Sequence, residues 1–203
     1  MPRPRYAKDD TTAKQKLEQA FWSCLSEVPF EKITVAQVVK QADVNRNTFY
    51  YHFDDMNDLA KTAVQDTALE PLAIRTILAA FLHDGGTEAL DQIPDIGDRV
   101  DRICLLAGRH STPELQMMLR SQLKKVWGEA FGFDPNELDL EGQLALEFAS
   151  GGFLALFAYR TDNGLDYTVH DIVGFGLTDD IMRSCAISTP PRNSPCCELR
   201  KWF

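Results

Sequence analysis

The reading of this chain turns on Asn45-Arg46-Asn47-Thr48-Phe49-Tyr50-Tyr51-His52-Phe53. At about 100° per residue, the turn of an α-helix, Phe49 and Phe53 share one side and can pin the segment to a core. Asn47, Thr48 and Tyr51 then point away from that core, with Arg46, Tyr50 and His52 on the flanks. Every outward side chain can hydrogen-bond, and none is a carboxylate. The chain holds 30 Asp and Glu in 203 residues, so an acid-free surface helix is compositionally unusual, and it suits a polyanion.

Working outward, Asn45 is a suitable N-cap for Arg46 to Phe53. Upstream, Thr34-Val35-Ala36-Gln37 fits a capping box and opens a helix to Ala42, with Val35, Val38, Val39 and Ala42 on one face. Asp43-Val44 is a tight break between the two. Before them, Thr12 to Val28 places Leu17, Ala20, Phe21, Cys24, Leu25 and Val28 at helical spacing, and Pro29 ends that run. Downstream, Asp55 caps a helix from Met56 to about Glu70, where Pro71 interrupts. Two short helices with a tight break, backed by a longer one, form the helix-turn-helix pattern, whose second helix enters the DNA major groove.

Chemistry then suggests roles. Arg46 suits guanine O6/N7 and Asn47 adenine N6/N7, while the Thr48 methyl or the Tyr51 ring can pack on a thymine methyl. Tyr50 and His52 can donate to phosphates, and Thr34 adds a hydroxyl beside the first backbone N–H groups of its helix. Periodicity alone also fits an ordinary amphipathic helix whose Tyr and His serve packing.

Composition bounds the alternatives. Hydrophobic residues are 44% and charged residues 25%, ordinary globular values that set the chain apart from disordered ones. The longest apolar stretch, Leu144 to Tyr159, contains Glu147 and falls short of the ~20 residues of a bilayer span. MPRPRYAKDD has no apolar core, so no secretory signal is expected. Cys24, Cys104, Cys185, Cys196 and Cys197 are scattered, without metal-ligand spacing. They predict reduced thiols, a cytoplasmic location and no metal or other cofactor. The histidines (His52, His83, His110, His170) are dispersed, and no GxSxG, HExxH, P-loop or GxGxxG motif is present. The expectation is therefore not an enzyme and not a membrane protein.

The formal net charge of -9 argues at first against nucleic acid, but its distribution does not. Residues 1–61 hold nine Lys and Arg against nine Asp and Glu; residues 62–203 hold twelve against twenty-one. The acidity belongs to the C-terminal two thirds. Arg3, Arg5 and Lys8 add a basic arm in which prolines favour extended backbone; it reads equally as a groove-binding arm or as a solvated terminus.

The stretch KITVAQVVKQADVNRNTFYYHFDDMNDLAKTAV resembles the N-terminal domain of the tetracycline-repressor-like (TetR/AcrR) family of transcriptional regulators. Thr48 to Phe53, followed by Asp58-Leu59, carries the most specific part of the likeness, and about Lys14 to Val64 is covered. Two positions depart from the family pattern. Its turn usually has glycine, where this chain has Asp43, a residue that tolerates left-handed backbone. A phosphate-binding lysine often opens its fourth helix, where this chain has Met56, preceded by Asp54 and Asp55. These acids motivate an alternative: a regulator-like protein that has lost DNA binding and acts through a protein or small-molecule partner.

The resemblance implies an all-α chain with an N-terminal three-helix helix-turn-helix domain and a C-terminal helical ligand-binding and dimerisation domain. The expected boundaries are a flexible basic arm (1–10), the DNA-binding domain (11–60), the ligand and dimer domain (61–187) and a disordered tail (188–203). The DNA-facing residues are Thr34, Arg46, Asn47, Thr48, Tyr50, Tyr51 and His52. The implied partners are a double-stranded operator, an unidentified small-molecule effector and a second copy of the chain. The implied activity is repression relieved by the effector.

Helical periodicity runs on through Leu72 to His83, Ile96 to about Gly108, Thr112 to about Phe131, Leu140 to Tyr159 and Thr168 to about Ile187. Leu144 to Phe157 is apolar nearly all round, so it must be buried on most sides. Gly151-Gly152 inside it costs about 1 kcal/mol each relative to alanine, offset by close approach of another helix. The homodimer that the resemblance implies is then expected through Gly151, Gly152, Leu156, Ile172, Val173 and Leu177, with an intramolecular core helix as the other reading. Ligand candidates are Ile103, Ala107, Met118, Trp127 and Phe131 with Phe148 facing them, since Met and aromatics adapt to irregular apolar ligands. His110, Arg120 and Gln122 are candidate polar groups for orienting such a ligand.

Overall fold

The computed structural model describes residues 6–67, 73, 75–77 and 87–174. All regular structure among them is helical. Helix α1 spans Tyr6–Glu27, α2 Val35–Gln41, α3 Arg46–His52 and α4 Met56–Asp66. Helix α5 spans Ile96–Ala107, α6 Pro113–Phe131, α7 Leu140–Asp162 and α8 Val169–Gly174, with 3-10 turns at Phe30–Lys32 and Thr87–Gln92.

The caps set these boundaries. Thr34 Oγ1 accepts from Gln37 N at 3.3 Å while Gln37 Oε1 accepts from Thr34 N at 2.8 Å, closing the capping box. Asn45 Oδ1 accepts from Thr48 N at 2.8 Å, and Asp55 Oδ1 from Asp58 N at 2.9 Å. Thr112 caps α6, with Pro113 in its first turn. Helix α1 starts at Tyr6, not Thr12, so residues 6–10 of the expected arm are helical. Arg3 and Arg5, the expected tail and most of the helix expected over 72–83 lie outside the described residues.

One apolar core holds α1 to α4 together and continues into the rest of the chain. Leu17, Phe21, Leu25, Val38, Phe49 and Leu59 are fully buried, and Leu106, Ala107, Leu115, Leu119 and Leu154 belong to the same cluster. The helix-turn-helix domain therefore shares one apolar core with α5, α6 and α7. A second cluster packs Val126, Trp127 and Ala130 of α6 on Leu146 of α7, with Phe153 edge-on to Trp127 at 5.5 Å.

The five-residue loop between α5 and α6 fastens the two halves through His110 and is itself tied to α7 through Arg109. Phe30 N donates to the His110 carbonyl at 2.8 Å, and His110 Nδ1 lies 2.9 Å from the Leu25 carbonyl. Arg109 N donates to Asp162 Oδ1 at 2.7 Å. Gly108 belongs here for its size: a Cβ would sit 3.1 Å from that same carboxylate oxygen.

Candidate nucleic-acid interface

The turn between α2 and α3 needs a left-handed residue, and Asp43 supplies it at φ 53°. Asp is among the few non-glycine types that accept this conformation, so the turn survives without glycine. Phe49 and Phe53 are 0% and 2% exposed and hold α3 against α1, α2 and α4. That anchoring fixes what faces outward. Arg46, Asn47, Tyr50 and Tyr51 are exposed, Tyr51 at 73%, while Thr48 and His52 are half-buried. Thr34, at the start of α2, is exposed too.

The exposed side chains are ordered among themselves. Arg46 Nη2 donates to the Tyr50 hydroxyl at 3.2 Å, with the guanidinium 5.5 Å from the Tyr50 ring centre. Tyr50 stands edge-on to Phe49 at 5.4 Å, and Tyr51 edge-on to His52 at 5.0 Å. The face thus combines one fixed cation, amide and hydroxyl donors and a large exposed ring, the mixture that reads base edges and phosphates.

Two of the acids after α3, Asp55 and Asp58, accept local backbone hydrogen bonds. The Asp55 carboxylate caps α4, and the Asp58 carboxylate accepts from Asp54 N at 3.1 Å. Met56 packs partly buried against the main core.

Residues 19–63 match the family model of bacterial regulatory proteins of the tetR family. The helix-turn-helix domain is a TetR-family domain. Two solved structures are similar in fold over most of the chain. A TetR transcriptional regulator from Streptococcus agalactiae 2603V is 23% identical, with TM-score 0.53 over 84% of this chain and 94% of that one. The fatty acid degradation regulator FadR from Bacillus halodurans is 15% identical, with TM-score 0.52 over 86% and 94%. At these identities the likeness is one of fold. No curated protein matches the chain.

Behind the TetR-family domain, the residues expected to bind ligand separate into two groups. Ile103, Ala107 and Met118 pack in the core shared with α1 and α4, whereas Trp127 and Phe131 belong to the second cluster. Phe148, expected to face them, is 83% exposed on the outer side of α7. Helix α7 turns Leu146 and Ser150 inward, and the rotation between successive residues carries Phe148 to the opposite face. His110 turns its ring toward α1, with Nδ1 2.9 Å from the Leu25 carbonyl oxygen. A groove of about 260 Å³ lies between α4 and the start of α6, lined by Phe30, Asn57, Asp58, Lys61, Leu115 and Met118, among others. Met118 is the one expected ligand residue on it.

The dimer candidates also divide. Gly152 is exposed, Gly151 and Leu156 are half-buried, and Ile172 is buried within the protomer. Leu177 and the Val173 side chain lie outside the described residues. Sequence reasoning missed Leu140 and Leu144, exposed at 72% and 60% along the same flank as Phe148. Their signal is the unbroken i, i+4 spacing of Leu140, Leu144 and Phe148. No helix among the described residues is long and apolar enough to cross a membrane.

Proposed function

We propose that this chain is a ligand-responsive transcriptional regulator that binds a pseudo-palindromic operator as a homodimer and is released from it by a small molecule. The observation that carries the reading is α3: a TetR-family recognition helix pinned by Phe49 and Phe53, with Arg46, Asn47, Tyr50 and Tyr51 exposed and no acid among them. Thr34, Thr48 and His52 complete the face. In a dimer each protomer offers one α3 to one half-site, so affinity depends on the spacing of the two helices. The continuous core from α1 to α7 supports the coupling, because a displacement of α5 or α6 by a ligand moves the helix-turn-helix with it.

The apolar flank of α7 supports the homodimer. Leu140, Leu144 and Phe148 are a contiguous apolar face of the kind that marks an association surface. The domain division follows: helix-turn-helix to about residue 60, effector and dimer domain beyond it.

The test is a binding assay on the DNA flanking the protein's own gene, over a range of salt. Expected is sequence-selective binding by a dimer, weakening with salt as phosphate contacts exchange with counterions. A stable dimer that binds all DNA equally, or none, refutes the reading.

A further inference from the structure

Resting on the reading of α3 as a recognition helix, we propose that Tyr50 is a positioning residue for base readout: its hydroxyl holds the Arg46 guanidinium in place while donating its own hydrogen to a phosphate. The starting point is a chain of contacts from core to surface. Phe49 is fully buried. The Tyr50 ring packs edge-on against it at 5.4 Å and 83°, so the ring is anchored although the residue is 47% exposed. Arg46, one turn earlier, lies over that ring at 5.5 Å and donates through Nη2 to the hydroxyl at 3.2 Å.

An exposed arginine ordinarily samples many rotamers, and ordering it on binding costs affinity. Here the stacking and the hydrogen bond restrict it beforehand. The arrangement leaves donors to spare. Guanidinium has five N–H groups, so using one on Tyr50 leaves a pair for guanine O6 and N7. The Tyr50 oxygen acts as acceptor toward Arg46, and its hydrogen remains available for a phosphate oxygen. Register along the backbone and identity of one base are thereby tied through a single hydroxyl group.

This makes a claim that a simple phosphate contact does not. Loss of a phosphate contact weakens binding about uniformly across sequences, whereas loss of a positioning contact relaxes discrimination at one base pair. The wild-type protein is used to enrich an operator from random double-stranded DNA. Affinities are then measured for that operator and for its single-base-pair substitutions, at one salt concentration. The proteins compared are wild type, Tyr50→Phe, Arg46→Ala and the double variant.

Arg46→Ala is expected to abolish a guanine preference at one position of each half-site, roughly five- to 100-fold in discrimination. Tyr50→Phe keeps the ring but removes the hydroxyl, and should cut discrimination at that same position by about two- to tenfold. In the Arg46→Ala background, Tyr50→Phe should change discrimination no further and leave only a uniform loss of affinity. The proposal is overturned if Tyr50→Phe weakens all sequences equally in the wild-type background. It is also overturned if the two effects on discrimination multiply independently, or if Arg46→Ala relaxes no position. A wild-type protein that enriches no sequence overturns the parent reading, and this proposal with it.

Discussion

His110 Nδ1 sits 2.9 Å from the Leu25 carbonyl oxygen across 85 residues of sequence, and the same histidine accepts from Phe30 N through its own carbonyl. The end of α1 is thus clasped by the loop that Arg109 ties to α7 through Asp162. His110→Ala keeps the backbone bond and removes the side-chain one, a loss of about 1 kcal/mol. Thermal unfolding should register that loss, and hydrogen exchange should quicken around Leu25 to Phe30. Unchanged exchange there would show that the ring contributes nothing to the docking.

Anchoring and exposure separate cleanly along α3. Phe49 is 0% exposed, and Phe49→Ala should destabilise the fold by about 3–5 kcal/mol. Tyr51 is 73% exposed, and Tyr51→Ala should leave stability within about 0.5 kcal/mol while lowering operator affinity. Denaturant unfolding and DNA titration on the same preparations separate the two effects. A Tyr51→Ala protein that loses stability and keeps affinity would reverse the assignment.

Asp43 holds φ 53° at the turn. Left-handed backbone costs a residue with a Cβ roughly 1–2 kcal/mol, a cost that Asp reduces and glycine avoids. Asp43→Gly should be neutral to stabilising by up to about 1 kcal/mol, and Asp43→Val clearly destabilising. The order of thermal midpoints, Gly at or above Asp and both above Val, checks the backbone argument independently of DNA.

The Glu147 carboxyl is held below its usual range by its hydrogen bond to Lys124, then by the charges of Lys124 and Arg120, whose Nη1 lies 3.5 Å away. A depressed carboxylate favours the folded state above its unfolded pKa, and that contribution is lost as pH falls through the folded value. The tie between α6 and α7 should therefore weaken on acidification below the ordinary glutamate range. The effect is small, because the pair is half-exposed and screened. Glu147→Gln should remove this part of the acid-side slope of stability, and an unchanged slope would show that the pair is inert.

Local chemistry was legible in the sequence, and direction was not. Thr34 with Gln37, Asn45, Asp55, and Thr112 with Pro113 announce their helix starts because a cap joins residues only two or three apart. Phe49 and Phe53 announce the buried side of α3 because the rest of that helix is polar. Helix α7 offers no such contrast. It is apolar nearly all round, so nothing in its periodicity says that Leu146 faces inward and Phe148 outward. The docking of His110 joins residues far apart in sequence, which no local pattern encodes. The two clusters that divide Ile103 and Met118 from Trp127 are likewise set by how α5, α6 and α7 pack, not by any one of them.

Gly152 puts the proposed dimer at risk in both directions. Within the protomer a Cβ added there meets nothing within 4 Å, so the glycine is not required by any described neighbour. If nothing packs on that face, Gly152→Ala gains about 1 kcal/mol of helix propensity and leaves the oligomeric state alone. If a second copy lays a helix across it, the added methyl falls in the contact and weakens the dimer even as the isolated helix improves. Sedimentation of Gly152→Ala over a range of concentrations decides between these, with Phe148→Glu on the adjoining flank as the stronger perturbation. The proposal expects both to shift the protein toward monomer, Phe148→Glu more than Gly152→Ala. A Phe148→Glu protein that stays fully dimeric would move the interface away from this face of α7.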